Sequence, residues 1–166
     1  MDLANLGMVE IIRNRGFRVP VLSAHDLDEI FDLRAMLEVP ATAEVARVLR
    51  SEEIAAFRQL AELITEAARE GDVMTFLDRD RQFHLGLLEA LGNQRLVAMV
   101  GQLRDLARMR GIQKLADQGE LTGAGQEHIE IMDAIESRDS ERAAELMRTH
   151  LAHGRGVWAD ATEGAS

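Results

Sequence analysis

Asp80-Arg81-Gln82-Phe83-His84 decides the reading of this chain, because it sets two metal-ligating side chains where a helix is otherwise apolar. Around it Val73, Phe76, Leu77, Phe83, Leu87, Leu88 and Leu91 recur at three- and four-residue steps, and Asp80 and His84 fall on the same stripe. Both therefore face inward. A carboxylate is seldom buried without a partner, and residues four apart on a helix can converge on one ion. Further ligands have to come from elsewhere in the chain.

Two histidines answer that need. His128 shares a face with Ile131, Met132 and Ile135, and His150 shares one with Ala143, Leu146 and Met147. The turn at Ser137-Arg138-Asp139 lies midway between them, so in an antiparallel helical hairpin each stands about 16 Å from the turn, at one level. A single inward histidine is more often a hydrogen-bonded core imidazole than a ligand. Three of them joined by one inward carboxylate would otherwise require several separately satisfied buried polar groups. Asp80, His84, His128 and His150 are thus the expected ligands of a first-row divalent metal, zinc first, with nickel, manganese or iron as alternatives and calcium and magnesium disfavoured. An octahedral ion would keep two further positions for water or a ligand carboxylate, whereas tetrahedral zinc would be closed. His25 and His153 read as exposed. Arg34 lies in phase with the buried face of the first helix, where it either pairs with Glu38 or anchors an anion. Arg104 and Arg108 read as solvated.

The rest of the chain supports an all-α fold. It has 166 residues, 2 Pro, no Tyr and one Trp, and is rich in helix formers, enough for one compact helical domain and poor material for a large sheet. Helices are expected over 26–49, from Ser51 to a stop at Gly71, over 73–91, from Asn93 to about residue 116, through His128, and after residue 139. That makes an antiparallel bundle of about six. Inward positions on the first are Leu27, Ile30, Phe31, Leu37, Ala41, Val45 and Val48, with Pro40 expected to kink or split it. Ile54, Phe57, Leu60 and Ile64 face inward on the second, and Gly119 to Gly125 reads as a flexible break.

Ahead of the bundle, Val9 to Ile12 and Phe17 to Val19 flank Arg13-Asn14-Arg15-Gly16, a β-hairpin signal with a basic tip. Residues 21–25 read as linker, 26–158 as the bundle and 159–166 as a disordered tail. The head carries Arg13, Arg15 and Arg18 against Asp2 and Glu10, while the chain as a whole has a net charge of −10, so its body is acidic and unsuited to broad nucleic-acid contact. The absence of Cys excludes disulfides and thiolate metal sites, and no apolar run reaches the ~20 residues of a membrane span. A cytoplasmic protein with no membrane partner is expected.

At this point the sequence resembles a known family. Arg34 with Glu38, Asp80-Arg-Gln-Phe-His84, Gly92-Asn93, Glu127-His128 and Met147-Arg-Thr-His150-Leu151 look like the effector-binding FCD domain of GntR-type transcription regulators, FadR subfamily. The resemblance covers residue 24 to about 158. It implies a bundle of six or seven helices that binds a metal through Asp80, His84, His128 and His150 and a small carboxylate beside it, contacted by Arg34. It also implies a homodimer. In such regulators a winged helix-turn-helix comes first, and residues 1–20 resemble only its last part, the wing, with Arg13, Asn14 and Arg15 at the tip as its DNA contacts. Operator DNA is accordingly expected as a partner of the full-length protein only. A metal-dependent hydrolase or lyase is the competing function, but neither a His-Glu-x-x-His nor a Glu-x-x-His signature occurs, and His25-Asp26 sits at a helix start. The third reading is a structural metal site in a dimerisation module.

Overall fold

The computed structural model describes residues 10–12, 16–18, 22–115 and 121–159. They form a short hairpin, β1 (Glu10–Ile12) and β2 (Gly16–Arg18), followed by six helices: α1 (Ala24–Val48), α2 (Ser51–Glu70), α3 (Val73–Glu89), α4 (Gln94–Leu115), α5 (Leu121–Glu136) and α6 (Ser140–Ala159). The strands pair antiparallel with Ile11 opposite Phe17. Arg13, Asn14 and Arg15, the expected wing tip, lie outside the described residues, as does the tail beyond Ala159.

Helix starts and stops follow local chemistry. Ser23 caps α1 through a reciprocal box with Asp26, and Asp72 caps α3 by accepting from the Thr75 amide. Gly71 closes α2 with φ 72°, a left-handed conformation that glycine adopts without steric cost. Of the two outcomes expected of Pro40, a kink or a split, the split does not occur: α1 is continuous through it. Pro40 sits on the exposed face beside Met36, so the carbonyl that its missing N–H leaves free borders solvent.

The largest contacts run α1 on α6, α2 on α5, α2 on α3 and α5 on α6. Their shared core gathers Leu27, Ile64, Phe83, Leu87, Ile131, Met132, Ile135 and Met147. Two expectations fail here. Val48, expected inward, is 46% exposed, whereas Leu37, partly buried, packs against the cluster of Ala41, Leu85, Leu88 and Val100, and the buried face of α1 also takes in Glu38, Thr42 and Ala46. The expected break at Gly119 to Gly125 is mostly helix: α5 begins at Leu121 and contains Gly123 and Gly125. Gly125 is there for packing, since a Cβ on it would stand 2.9 Å from the Thr65 Cα and 3.1 Å from the Ala68 Cβ of α2. Ile54, Phe57 and Leu60 pack against the core while remaining partly buried, and Ile64 is fully enclosed.

Candidate metal centre

Three helices bring the four expected ligands together. Asp80 and His84 come from α3, one turn apart, His128 from α5 and His150 from α6, and one donor atom from each lies within 4.8 Å of all the others. All four are buried. The predicted levelling of His128 and His150 across the α5–α6 turn is seen directly, with ring centroids 4.7 Å apart.

Hydrogen bonds behind the rings determine which nitrogens carry protons. His128 Nδ1 lies 2.8 Å from the Ala124 carbonyl oxygen, which can only accept, so Nδ1–H donates. His150 Nδ1 lies 2.7 Å from Glu127 Oε2 and donates likewise. In the neutral rings both Nε2 atoms are then bare lone pairs. They point inward, His128 Nε2 at Asp80 Oδ1 (3.3 Å) and His150 Nε2 at His84 Nε2 (3.1 Å). A lone pair facing a carboxylate oxygen at that distance is satisfied by a cation between them, a proton or a metal ion.

Charge state agrees. Burial above all, with Arg104 adding to it, holds His84 well below the ordinary imidazole range, and burial also lowers His150 against the opposing pull of Glu127. Burial works against the Asp80 charge, but Arg104 and His84 outweigh it and keep the carboxyl well below its usual range. Neutral imidazoles and an ionised carboxylate are the forms that bind a metal. His84 Nδ1, buried and without a hydrogen-bond partner among the described residues, lies 3.5 Å from Glu38 Oε2, so a proton moved to that nitrogen would face a carboxylate. These four residues fit a divalent ion.

The two oxygens of Asp80 have different work. Oδ1 faces the histidines, whereas Oδ2 accepts from Arg104 (3.2 Å) and Arg108 (2.9 Å). Arg104 and Arg108 are therefore not solvated, as their sequence positions suggested. Arg104 is 3% exposed, and Arg108 also donates to the Leu77 carbonyl. Arg104 further donates to Glu38 Oε2 at 2.8 Å, and Arg34 Nε donates to Glu38 Oε1 at 2.7 Å. A buried chain of charges thus runs Arg34–Glu38–Arg104–Asp80–Arg108. Both readings of Arg34 remain open in this geometry: it pairs with Glu38 through Nε, while its terminal nitrogens bond no other described residue. Its guanidinium also lies 4.9 Å from the Phe31 ring centroid.

His25 is exposed, 3.5 Å from Glu29, and takes no part. His153 is exposed too, but its Nδ1 contacts Glu127 Oε1, so Glu127 bridges His150 and His153. Sequence reasoning missed the burial of Glu38 and the role of Arg104, both set by partners on other helices. Glu127 carried no periodic signal of its own. A surface hollow by the α5–α6 turn is lined by Glu130, Asp133, Ala134, Ser137, Arg142 and Leu146 and includes none of the four clustered side chains.

Comparison with known proteins agrees with this architecture. The FCD domain model matches residues 29–153. The HTH-type transcriptional repressor GlaR of Escherichia coli is 30% identical over 152 residues, which span 87% of this chain and 69% of GlaR. The solved structure of McbR/YncC from E. coli shares the fold with a TM-score of 0.86 at 21% identity, over 95% of this chain and 80% of that one. A structure described as the metal-free FCD domain of TM0439 gives a TM-score of 0.69 at 20% identity, over 86% and 97% of the two chains. The relatives are regulators of transcription and not enzymes. This chain belongs to the FCD family, the effector-binding domain of GntR-type transcription regulators.

Proposed function

We propose that the chain is the sensing part of a cytoplasmic, dimeric regulator of the FadR subfamily, that it holds one divalent ion on Asp80, His84, His128 and His150, and that it responds to a small carboxylate. The observation that carries the reading is the gathering in one buried pocket of the bare His128 and His150 Nε2 lone pairs with His84 and Asp80 Oδ1, one donor atom of each residue within 4.8 Å of the others. A bound divalent ion, zinc first, with nickel, manganese or iron as alternatives, supplies there the positive centre on which a ligand carboxylate is held. Charge supports an anionic ligand. Arg34, Arg104 and Arg108 balance Glu38, Asp80 and Glu127 around the centre, so a dication leaves a net positive charge there. Arg34 is the proposed carboxylate contact, through the terminal nitrogens that Glu38 leaves unused.

Leu33 and Met36 on α1 and Met99 on α4 are exposed apolar side chains that favour a homodimer. Operator binding belongs to the full-length protein, with Arg13, Asn14 and Arg15 in its wing. No helix of the described residues is long and apolar enough to cross a membrane.

Titration calorimetry tests the reading, with acetate and succinate as probes, on wild type and Arg34→Ala, each with and without a chelator. If each charge-assisted contact contributes ~1.5 to 3 kcal/mol, Arg34→Ala weakens carboxylate binding by roughly ten- to a hundredfold and leaves metal content unchanged. Undiminished affinity in the variant would return Arg34 to its pair with Glu38 alone. Undiminished affinity in the chelated protein would separate the effector from the metal. A metal that binds while carboxylates do not would favour a structural site.

A further inference from the structure

We infer that Glu127 is a positioning residue for the metal centre: it holds His150 in the one tautomer that can ligate and, by its charge, makes that imidazole a stronger donor. The inference rests on the metal reading above. Glu127 is the residue before His128 on α5, so the two side chains leave the helix about 100° apart. His128 enters the pocket, and Glu127 passes behind His150, where Oε2 accepts from Nδ1–H at 2.7 Å. The Glu127 side chain is only 18% exposed, and His153, one turn after His150 on α6, contacts the other oxygen. The carboxylate is therefore contacted on both oxygens, by His150 and by His153. With Nδ1 occupied by that proton, Nε2 of the neutral ring carries the lone pair and faces His84 Nε2. His128 is oriented by a neutral backbone carbonyl at Ala124, and His84 has no hydrogen-bond partner on Nδ1 among the described residues. His150 is thus the one histidine of the three whose outer nitrogen donates directly to an ionised carboxylate. Partners of this kind raise ligand basicity, and their loss typically costs ten- to a hundredfold in metal affinity.

The experiment has two arms on the full chain, with wild type, Glu127→Gln, Glu127→Ala and His153→Ala, each first shown to be folded by its helical circular dichroism. In the metal-free arm, imidazole nitrogen chemical shifts report the tautomer of His150. Wild type and Glu127→Gln, whose amide oxygen can still accept, are expected to show Nδ1–H, and Glu127→Ala a mixture of tautomers. In the metal arm, zinc affinity is read by competition with a chromophoric chelator. Glu127→Gln is expected to lose about tenfold and Glu127→Ala up to about a hundredfold, while His153→Ala stays within about threefold because water replaces an exposed donor. Zinc affinity unchanged in Glu127→Ala, or a wild-type His150 protonated on Nε2, overturns the inference while the metal reading stands. A wild-type chain that binds neither zinc, nickel nor manganese overturns the metal reading and the affinity half of the inference with it. The tautomer shifts then remain as the measure of whether Glu127 positions His150.

Discussion

Glu38 shows how much one buried side chain can connect. Its oxygens accept from Arg34 and Arg104, and it stands 3.5 Å from a nitrogen of His84. Burial alone would raise its pKa, but Arg104 and Arg34 reverse that and lower it from the ordinary 4.5 to about 2. A carboxyl depressed on folding contributes its full stability above the unfolded value and loses it as pH falls toward the folded one. The stability from Glu38 is therefore present at neutral pH and lost between about 4.5 and about 2. Urea melts at about pH 6 and about pH 3 should show a smaller pH-dependent loss in Glu38→Gln than in wild type, after allowance for the variant's lower starting stability. An equal loss in both would assign the acid sensitivity elsewhere. Replacing Arg104 by Ala leaves Glu38 and Asp80 short of a cation, and is expected to destabilise by about 3 to 5 kcal/mol in denaturant melts. The buried cluster of Asp80, His84, His128 and His150 was legible in the sequence because each polar group interrupts an apolar stripe on its own helix. Arg104 was not, because only the approach of α1 and α3 to α4 shows that an arginine at that position is enclosed.

At the scale of elements, the informative positions are a glycine and a proline inside helices. Local propensity reads Gly119 to Gly125 as a break, yet Gly125 lies inside α5 against Thr65 and Ala68 of α2. The demand comes from helix-on-helix packing, which no single-helix pattern contains. Gly125→Ala gains up to about 1 kcal/mol of helix propensity but places a Cβ 2.9 Å from a backbone atom. Overpacking of this kind costs about 1 to 3 kcal/mol, so the variant's melting temperature should fall. A rise would mean that α5 can move away from α2 at little cost. Pro40 gives the opposite sign. It is exposed, in the middle of a continuous helix, and Pro40→Ala restores an N–H and a better helix former, with an expected gain of about 1 to 3 kcal/mol. Differential scanning calorimetry of the two variants side by side checks both signs.

For the whole molecule, the decisive quantity is the linkage between ion and fold. The proposed metal ligands come from α3, α5 and α6, so an ion bound there would join three elements that the unfolded chain keeps apart, and would stabilise by about 2.7 kcal/mol at a free concentration a hundred times its dissociation constant. Zinc, nickel or manganese should raise the melting temperature and a chelator should reverse the rise. His128→Ala or His150→Ala should abolish the effect, and His25→Ala should not alter it. A melt insensitive to all three ions would sink the metal centre. Element order, helix count and the antiparallel pairing of α5 with α6 were readable from caps and periodicity. The continuity of the charge chain from Arg34 to Arg108 was not, because it joins α1, α3 and α4 across the bundle.

Helix α1 also has a mechanical reading. It runs unbroken from Ala24 to Val48, with Glu38 tied to Arg104 fourteen residues from its start, a distance of roughly 21 Å at 1.5 Å per residue. Pro40 removes one rung of the helix ladder just beyond that tether. A pivot at the charge network would make the amino-terminal stretch an arm, one held to the bundle by Leu27 and Phe31 in the core and by Arg155 of α6 on Asp28. A tilt of only ~5° about Glu38 would carry Ala24, and whatever precedes it, through roughly 2 Å.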